Sequence, residues 1–258
     1  LVASGVDTSH CLLCTDDSHP HTLVDDGHMD RVLREAVRLG LDPITALQMA
    51  TINAAQYFGV GRDMGSITPG KCADIVLLRD LERFEAKAVY IDGTLAAEDG
   101  KATFATKPFT WPAFMTHTMN LGVDITPRAF EIPVNHKDGS IWVRAIGINA
   151  GDTLTRDSTV KTIVRDGKIQ ADPTHDVLKA CVFDRHHGTD GTHSFGFVTG
   201  FGIHGALAQT VSHDAHNLLV MGDNDADMAL AARALAECGG GEVAVADGKV
   251  LALVELPV

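Results

Sequence analysis

Asp-Gly pairs at positions 92, 99, 138, 166, 190 and 247 each fall between short apolar runs, and no other feature restricts the fold of this 258-residue chain as tightly. Such a pair readily adopts the positive-φ backbone that a two-residue hairpin turn demands, so the pattern predicts many short strands rather than long helices. Beyond residue 125 the expected strands are 141–148, 160–164, 178–183 and 218–221. One strong helix over 225–237 is stopped by Gly239-Gly240-Gly241, and Asp247-Gly248 turns a closing hairpin of 243–246 and 250–253.

Ahead of that region the period changes. Residues 29–39 place Val32, Leu33, Ala36 and Val37 at helical spacing, with Gly40 as the stop. Residues 42–59 repeat the pattern behind an Asp42 N-cap and Pro43 at the first helical position. Leu12, Leu13 and Cys14 read as a buried strand with acids at its end. Pro69-Gly70 then turns into an apolar strand, 73–78, read as core, and two more strands flank Asp92-Gly93, while the charge run 79–85 reads as a solvated face. The expected organisation is 1–60 as strand and helices, 61–104 as a small β unit, 105–124 as a linker without period, and 125–258 as an α/β domain.

Charge narrows the partners. Against 34 Asp plus Glu stand 21 Lys plus Arg, and a net charge of −13 repels a polyanion, so no nucleic-acid partner is expected. No apolar run approaches the roughly 20 residues that cross a bilayer, so no membrane partner is expected. Cys11, Cys14, Cys72, Cys181 and Cys238 are odd in number and scattered, which suits reduced thiols and a cytoplasmic location. Cys11 and Cys14 form a C-x-x-C without the second pair that a zinc ribbon needs.

Histidine is where chemistry concentrates: four of the 13 lie in residues 10–28 and seven in 175–216. In CTDDSHPHTLVDDGHMDR, Asp16 follows an apolar run, where a carboxylate needs a metal, a base partner or a helix to cap. The second group comprises RHHGTDGTH and VSHDAHN; His213 and His216 are three apart with Asp214 between. The H-E-x-x-H spacing of helical zinc sites is absent, and spacing alone favours hydrogen-bonded structural histidines.

CTDDSHP, then ALQMATINAAQYFG, then GSITPGKCADIVLLRDL resemble the last barrel strand, closing helices and returning strands of the amidohydrolase superfamily. RHHGT, GFVTGFG, VSHDAHN and NDADMALAARALAECGGGEVAVADGKV resemble the extra C-terminal domain of its adenine deaminase members. The resemblance implies an α/β fold: the tail end of a (β/α) barrel with a small β unit, followed by a C-terminal α/β domain. It also implies hydrolytic deamination of adenine to hypoxanthine and ammonia by a hydroxide held on divalent metal, two ions of manganese or iron with zinc as the alternative. Asp16 matches the family's acid that serves as metal ligand and proton shuttle, with Asp17 the second catalytic candidate. His19, and His213 and His216 with Asp214 fixing a ring tautomer, are expected to bind the substrate or close over it. The family's H-x-H, bridging carboxylate and further histidines have no counterpart here, so the expectation is a piece of a longer protein, inactive alone. The expected partners are a small-molecule purine and further copies in a homo-oligomer. Two other readings remain open at this stage: a cyclic amidohydrolase of dihydroorotase or hydantoinase type, and a non-catalytic interaction module. No role is assigned to His186, His187 or His193.

Overall fold

The computed structural model describes residues 4–151, 154–188 and 191–257. The chain forms two compact units that divide between Pro108 and Phe109. Both mix helix and strand, sheet dominates the second, and no helix among the described residues is long and apolar enough to cross a membrane.

In the first unit four helices precede a small sheet: α1 (Pro20–Asp25), α2 (Met29–Arg38), α3 (Pro43–Ala50) and α4 (Ile52–Tyr57). Asp42 caps α3 as its sequence requires, its Oδ2 accepting from Thr45 N at 2.9 Å. The helix expected to run on to residue 59 instead breaks at Thr51, whose φ of −129° and ψ of −90° leave the helical region. The sheet is antiparallel in the order β1 (Ile75–Leu78), β2 (Ala86–Ile91), β3 (Thr94–Glu98), β4 (Lys101–Ala102). Leu33, Leu41, Ala46, Met49 and Phe84 form the core, with Leu13 and Leu78 packed against it.

Three local expectations change here. Leu12, Leu13 and Cys14 form no strand, because an extended segment needs ladder partners and none lies alongside among the described residues; Leu13 N donates to Met49 O instead. The strand read as core is half covered: Val76 and Leu77 are exposed. Within the charge run read as solvated, Phe84 is buried at 1 % exposure.

The second unit is built on one long sheet in the order β14-β13-β11-β12-β9-β10-β6-β7-β8-β5. Its strands are β5 (Ile132–Pro133), β6 (Gly139–Ile148), β7 (Thr155–Arg165), β8 (Lys168–Gln170), β9 (Leu178–Phe183), β10 (His193–Thr199), β11 (Ala206–Ser212), β12 (Asn217–Gly222), β13 (Gly241–Ala246) and β14 (Lys249–Glu255). All pair antiparallel except β10 with β6. Asp92, Asp99, Asp166 and Asp247 turn their hairpins with φ near +50°, each followed by a glycine that is also positive. Asp190 lies outside the described residues. The helix α6 (Asp225–Cys238) crosses one face, its N-cap Asn224 accepting from Asp227 N at 2.8 Å. Met228, Ala229, Ala231, Ala232 and Leu235 pack there against Phe183, Leu218, Val220, Val243 and Val245. Residues of the period-free stretch join this core: Leu121 is buried, and Met119 and Val123 pack against it.

Gly205 sits at the start of β11 with φ +103°, and a Cβ there would lie 2.1 Å from Val245 O. Gly205→Ala is therefore expected to lose at least ~2 kcal/mol, because neither the backbone angle nor the space accepts a side chain. Chemical denaturation of the two proteins checks this.

Candidate functional site

Sheet register brings the second histidine group together. β12 pairs antiparallel with β9, Leu218 opposite Phe183, so residues 184–187 leaving β9 stand beside the 213–216 turn that enters β12. Arg185 joins the two segments and a third. It is buried, its Nε donates to His216 O at 2.5 Å, and its Nη1 donates to Thr118 Oγ1 at 2.6 Å. Its own carbonyl accepts from Asn120 N at 2.6 Å. Burial pulls the guanidinium pKa below its ordinary value.

Around this clamp the imidazoles are exposed and individually tethered. His187 Nδ1 lies 2.6 Å from Asp184 Oδ2, His213 Nδ1 lies 2.6 Å from Asp214 Oδ1, and His186 Nε2 lies 3.0 Å from Ala215 O. His216, at φ +50°, holds its ring 6.0 Å from that of His213. The hydrogen bond from His186 N, then that from His187, keeps the Asp184 carboxyl below the ordinary carboxylate range. His193 stands apart from these rings: it stacks on Phe183 at 5.1 Å and hydrogen-bonds Gly191 O.

The first histidine group is dispersed by comparison. Asp16, at φ +52°, stands just before a bend at Asp17, and Asp16, Asp17 and His19 are all exposed. His19 precedes α1 without capping it through its side chain, and its ring stacks on His21 at 5.6 Å. Two links hold the preceding loop: Leu13 N to Met49 O, and Asn53 Nδ2 to the carbonyls of Thr8 and Cys11, both at 3.0 Å. Among the described residues no three of His, Cys, Asp and Glu are placed to hold one metal ion. The described residues therefore do not by themselves fit a divalent centre, which takes three or four converging protein ligands.

Sequence reasoning missed Arg185 as an organiser, although a lone arginine closing the apolar run 178–183 was a visible signal. It also missed His204. That ring lies next to Gly205, where its Nδ1 meets Asp223 Oδ2 at 2.5 Å and its Nε2 lies 3.5 Å from Asp247 Oδ1. Asp223 is far away in sequence, so no spacing rule links the pair.

Residues 1–96 match the amidohydrolase family, and residues 152–258 match the adenine deaminase C-terminal domain. The chain is 50% identical over 259 residues to an adenine deaminase of Clostridium botulinum (strain Loch Maree / Type A3), covering 100% of this chain and 43% of that protein. It is 44% identical over 259 residues to the adenine deaminase of Moorella thermoacetica, again 100% against 43%. Against adenine deaminase 3 of Rhizobium meliloti it is 44% identical over 256 residues, 98% against 43%. The chain thus spans about 43% of the length of the curated relatives it matches. A solved amidohydrolase from Thermotoga maritima MSB8 aligns with 34% of this chain and 22% of its own at 28% identity, with a TM-score of 0.28.

The His204 pair makes a pH prediction. Hydrogen bonding to Asp223, then its charge, raises the His204 pKa above its ordinary 6.5. A raised histidine pKa means that the charged ring stabilises the fold: the contribution is complete below the unfolded value and is lost as pH rises through the folded one. Thermal melts between about pH 6 and 9 should therefore show wild type losing stability that His204→Gln does not lose. Parallel curves for the two proteins would remove the pair from the stability account.

Proposed function

We propose that this chain, related over its whole length to adenine deaminases and carrying an amidohydrolase match followed by an adenine deaminase C-terminal domain match, is part of an enzyme that hydrolyses adenine to hypoxanthine and ammonia. The observation that carries the reading is the 50% identity to an adenine deaminase sustained over 100% of the chain. The second match separates this reading from dihydroorotase or hydantoinase activity, since it is specific to the adenine deaminase C-terminal domain.

In this reading Asp16 carries a proton from the attacking water to the purine and then to the departing amine, with Asp17 beside it. The exposed, positive-φ position of Asp16 supports that assignment, since it leaves the carboxylate accessible rather than committed to a ladder or a cap. His19, His213, Asp214 and His216 are proposed to bind the purine or shield it from water. The amidohydrolase match implies a divalent metal. Two ions of manganese or iron are proposed, with Asp16 as one ligand and the remaining ligands supplied by residues other than those described here. A cytoplasmic location and a homo-oligomer complete the proposal. The five free thiols support the first. The exposed edge strand β14, with Val250, Leu251, Leu253 and Val254 in solvent, supports the second.

Two measurements test the reading. The purified 258-residue chain, supplied with manganese or iron, is expected to show no adenine turnover, because one carboxylate and tethered imidazoles cannot replace a multi-ligand centre. In an intact enzyme carrying this sequence, Asp16→Asn should lower kcat by at least about 100-fold, since an amide keeps the shape but cannot carry the proton. Asp17→Asn should cost less, and the reverse order would exchange the two roles.

A further inference from the structure

We propose that the cavity on the open face of the ten-strand sheet, floored by Leu207 and Ala244, walled by Phe201 and edged by Gln209 and Glu242, binds a free aminopurine base. This goes beyond the adenine reading above by giving the second unit a binding site of its own, and the choice of base rests on that reading.

The floor follows from strand register. Helix α6 covers one face of these strands by packing on Leu218, Val220, Val243 and Val245, and alternation turns the residues between them to the other face. Two cross-strand rows result. Met221, Leu207, Ala244 and Ala252 stand abreast, and next to them stand Leu219, Gln209, Glu242 and Val254. The two alanines of the first row leave a hollow between larger neighbours. A loop supplies the wall. The Asp176 carboxylate accepts from Gly200 N at 2.5 Å and from Gly202 N at 2.8 Å, which fixes Phe201 from both sides. The far end of the loop is held as well, Gly205 N donating to Asp223 Oδ1 at 3.1 Å. Phe201 keeps 37 % of its surface exposed and lines the hollow. A part-exposed aromatic ring on a clamped backbone is suited to stacking on a flat ring.

Size and charge narrow the ligand. The cavity holds about 420 Å³. Ligand sites range over roughly 300–1,000 Å³, so this one suits a single fused ring system. Among the described residues no lysine, arginine or histidine lines it, and its one charged lining side chain is Glu242, so a phosphate is repelled and the free base is favoured over a nucleotide. Gln209 and Glu242 are direct cross-strand partners. Their side chains therefore start about 5 Å apart on one face. A carboxamide pairs bidentately with the amino group and N7 of adenine. A carboxylate beside it accepts the ring N–H. A peptide or a second copy laid on the same floor would leave the amide and the carboxylate covered without partners, which is costly.

The test uses the 258-residue chain in metal-free buffer, where the base it binds stays intact. Calorimetric titration with adenine should show one saturable site per chain, with adenosine monophosphate weaker by at least about tenfold. Gln209→Leu removes the amide without opening the core and should weaken adenine about tenfold. Ala244→Leu fills the hollow and should abolish binding; if that variant folds poorly, Gln209→Leu decides alone. No adenine bound by wild type, or equal binding by wild type and Gln209→Leu, overturns the site. Light scattering reads the rival occupant: a dimer that Ala244→Leu dissociates, in a chain that binds no adenine, makes this face an interface between copies. Turnover is read separately, in an intact enzyme carrying this sequence. Adenine hydrolysed there but not bound by the chain overturns this inference alone. Adenine bound by the chain but not hydrolysed there overturns the proposed activity and leaves the cavity site in place.

Discussion

The pairing of β9 with β12 is the constraint on which the second unit depends. Phe183 and Leu218 stand opposite one another, both fully buried under α6 among Met228, Leu235, Val220 and Val243. Side chains alternate along a strand, so a slip of one residue would turn Phe183 and Leu218 to the other face and forfeit the burial of both. Ala229, Ala231 and Ala232 give α6 a smooth face that can lie close to the strands. Because this register is held so firmly, the chain segments that leave it are placed as firmly. Residues 184–187 and 213–216 meet for that reason, and Arg185 locks an adjacency that the sheet has already created.

Nothing comparable fixes the acidic stretch of the first unit. Its core is small, centred on Leu33, Leu41, Ala46, Met49 and Phe84. The loop carrying Asp16 is tied down before that residue, by Leu13 to Met49 and by Asn53 to Thr8 and Cys11, and then bends into solvent. Asp16 is thus anchored in position along the chain but not enclosed. A carboxylate in that setting can act on a proton or a cation when other groups approach it, which is how a single acid can matter to a reaction without this chain forming the whole centre.

What was legible in the sequence follows the range over which each signal acts. Asp42, the Asp-Gly pairs at 92, 99, 166 and 247, and Gly239 act on their immediate neighbours, and α3, four hairpins and the end of α6 appear where those residues put them; the pair at 138 turns no hairpin, since β5 pairs with β8 instead of β6. The apolar run at Leu12 and Leu13 was ambiguous because burial alone does not distinguish a strand from a loop lying on a helix; the backbone partner decides, and that partner is Met49. β10 was obscured because His193 and Gly196 weaken strand propensity, while long-range pairing with β9 overrides it. Asp16 and the histidines were legible as candidates by residue type. Arg185 and the His204–Asp223 pair were not, since each joins segments far apart in sequence.

The two histidine-rich groups are similar in composition, yet they differ in what surrounds them. In residues 19–28 the rings decorate a short helix and its flanks, and the stacked His19 and His21 face solvent without a buried anchor. In the second group a buried cation, Arg185, stands behind the rings, and carboxylate or carbonyl partners orient three of them. Ordering exposed side chains costs entropy, and only a frame rigid for its own reasons can supply that order without losing stability. The ten-strand sheet is such a frame, because its core is closed without any contribution from the exposed rings. Histidine number therefore says little about order; the rigidity of the backbone behind the rings separates a solvated surface from an organised one.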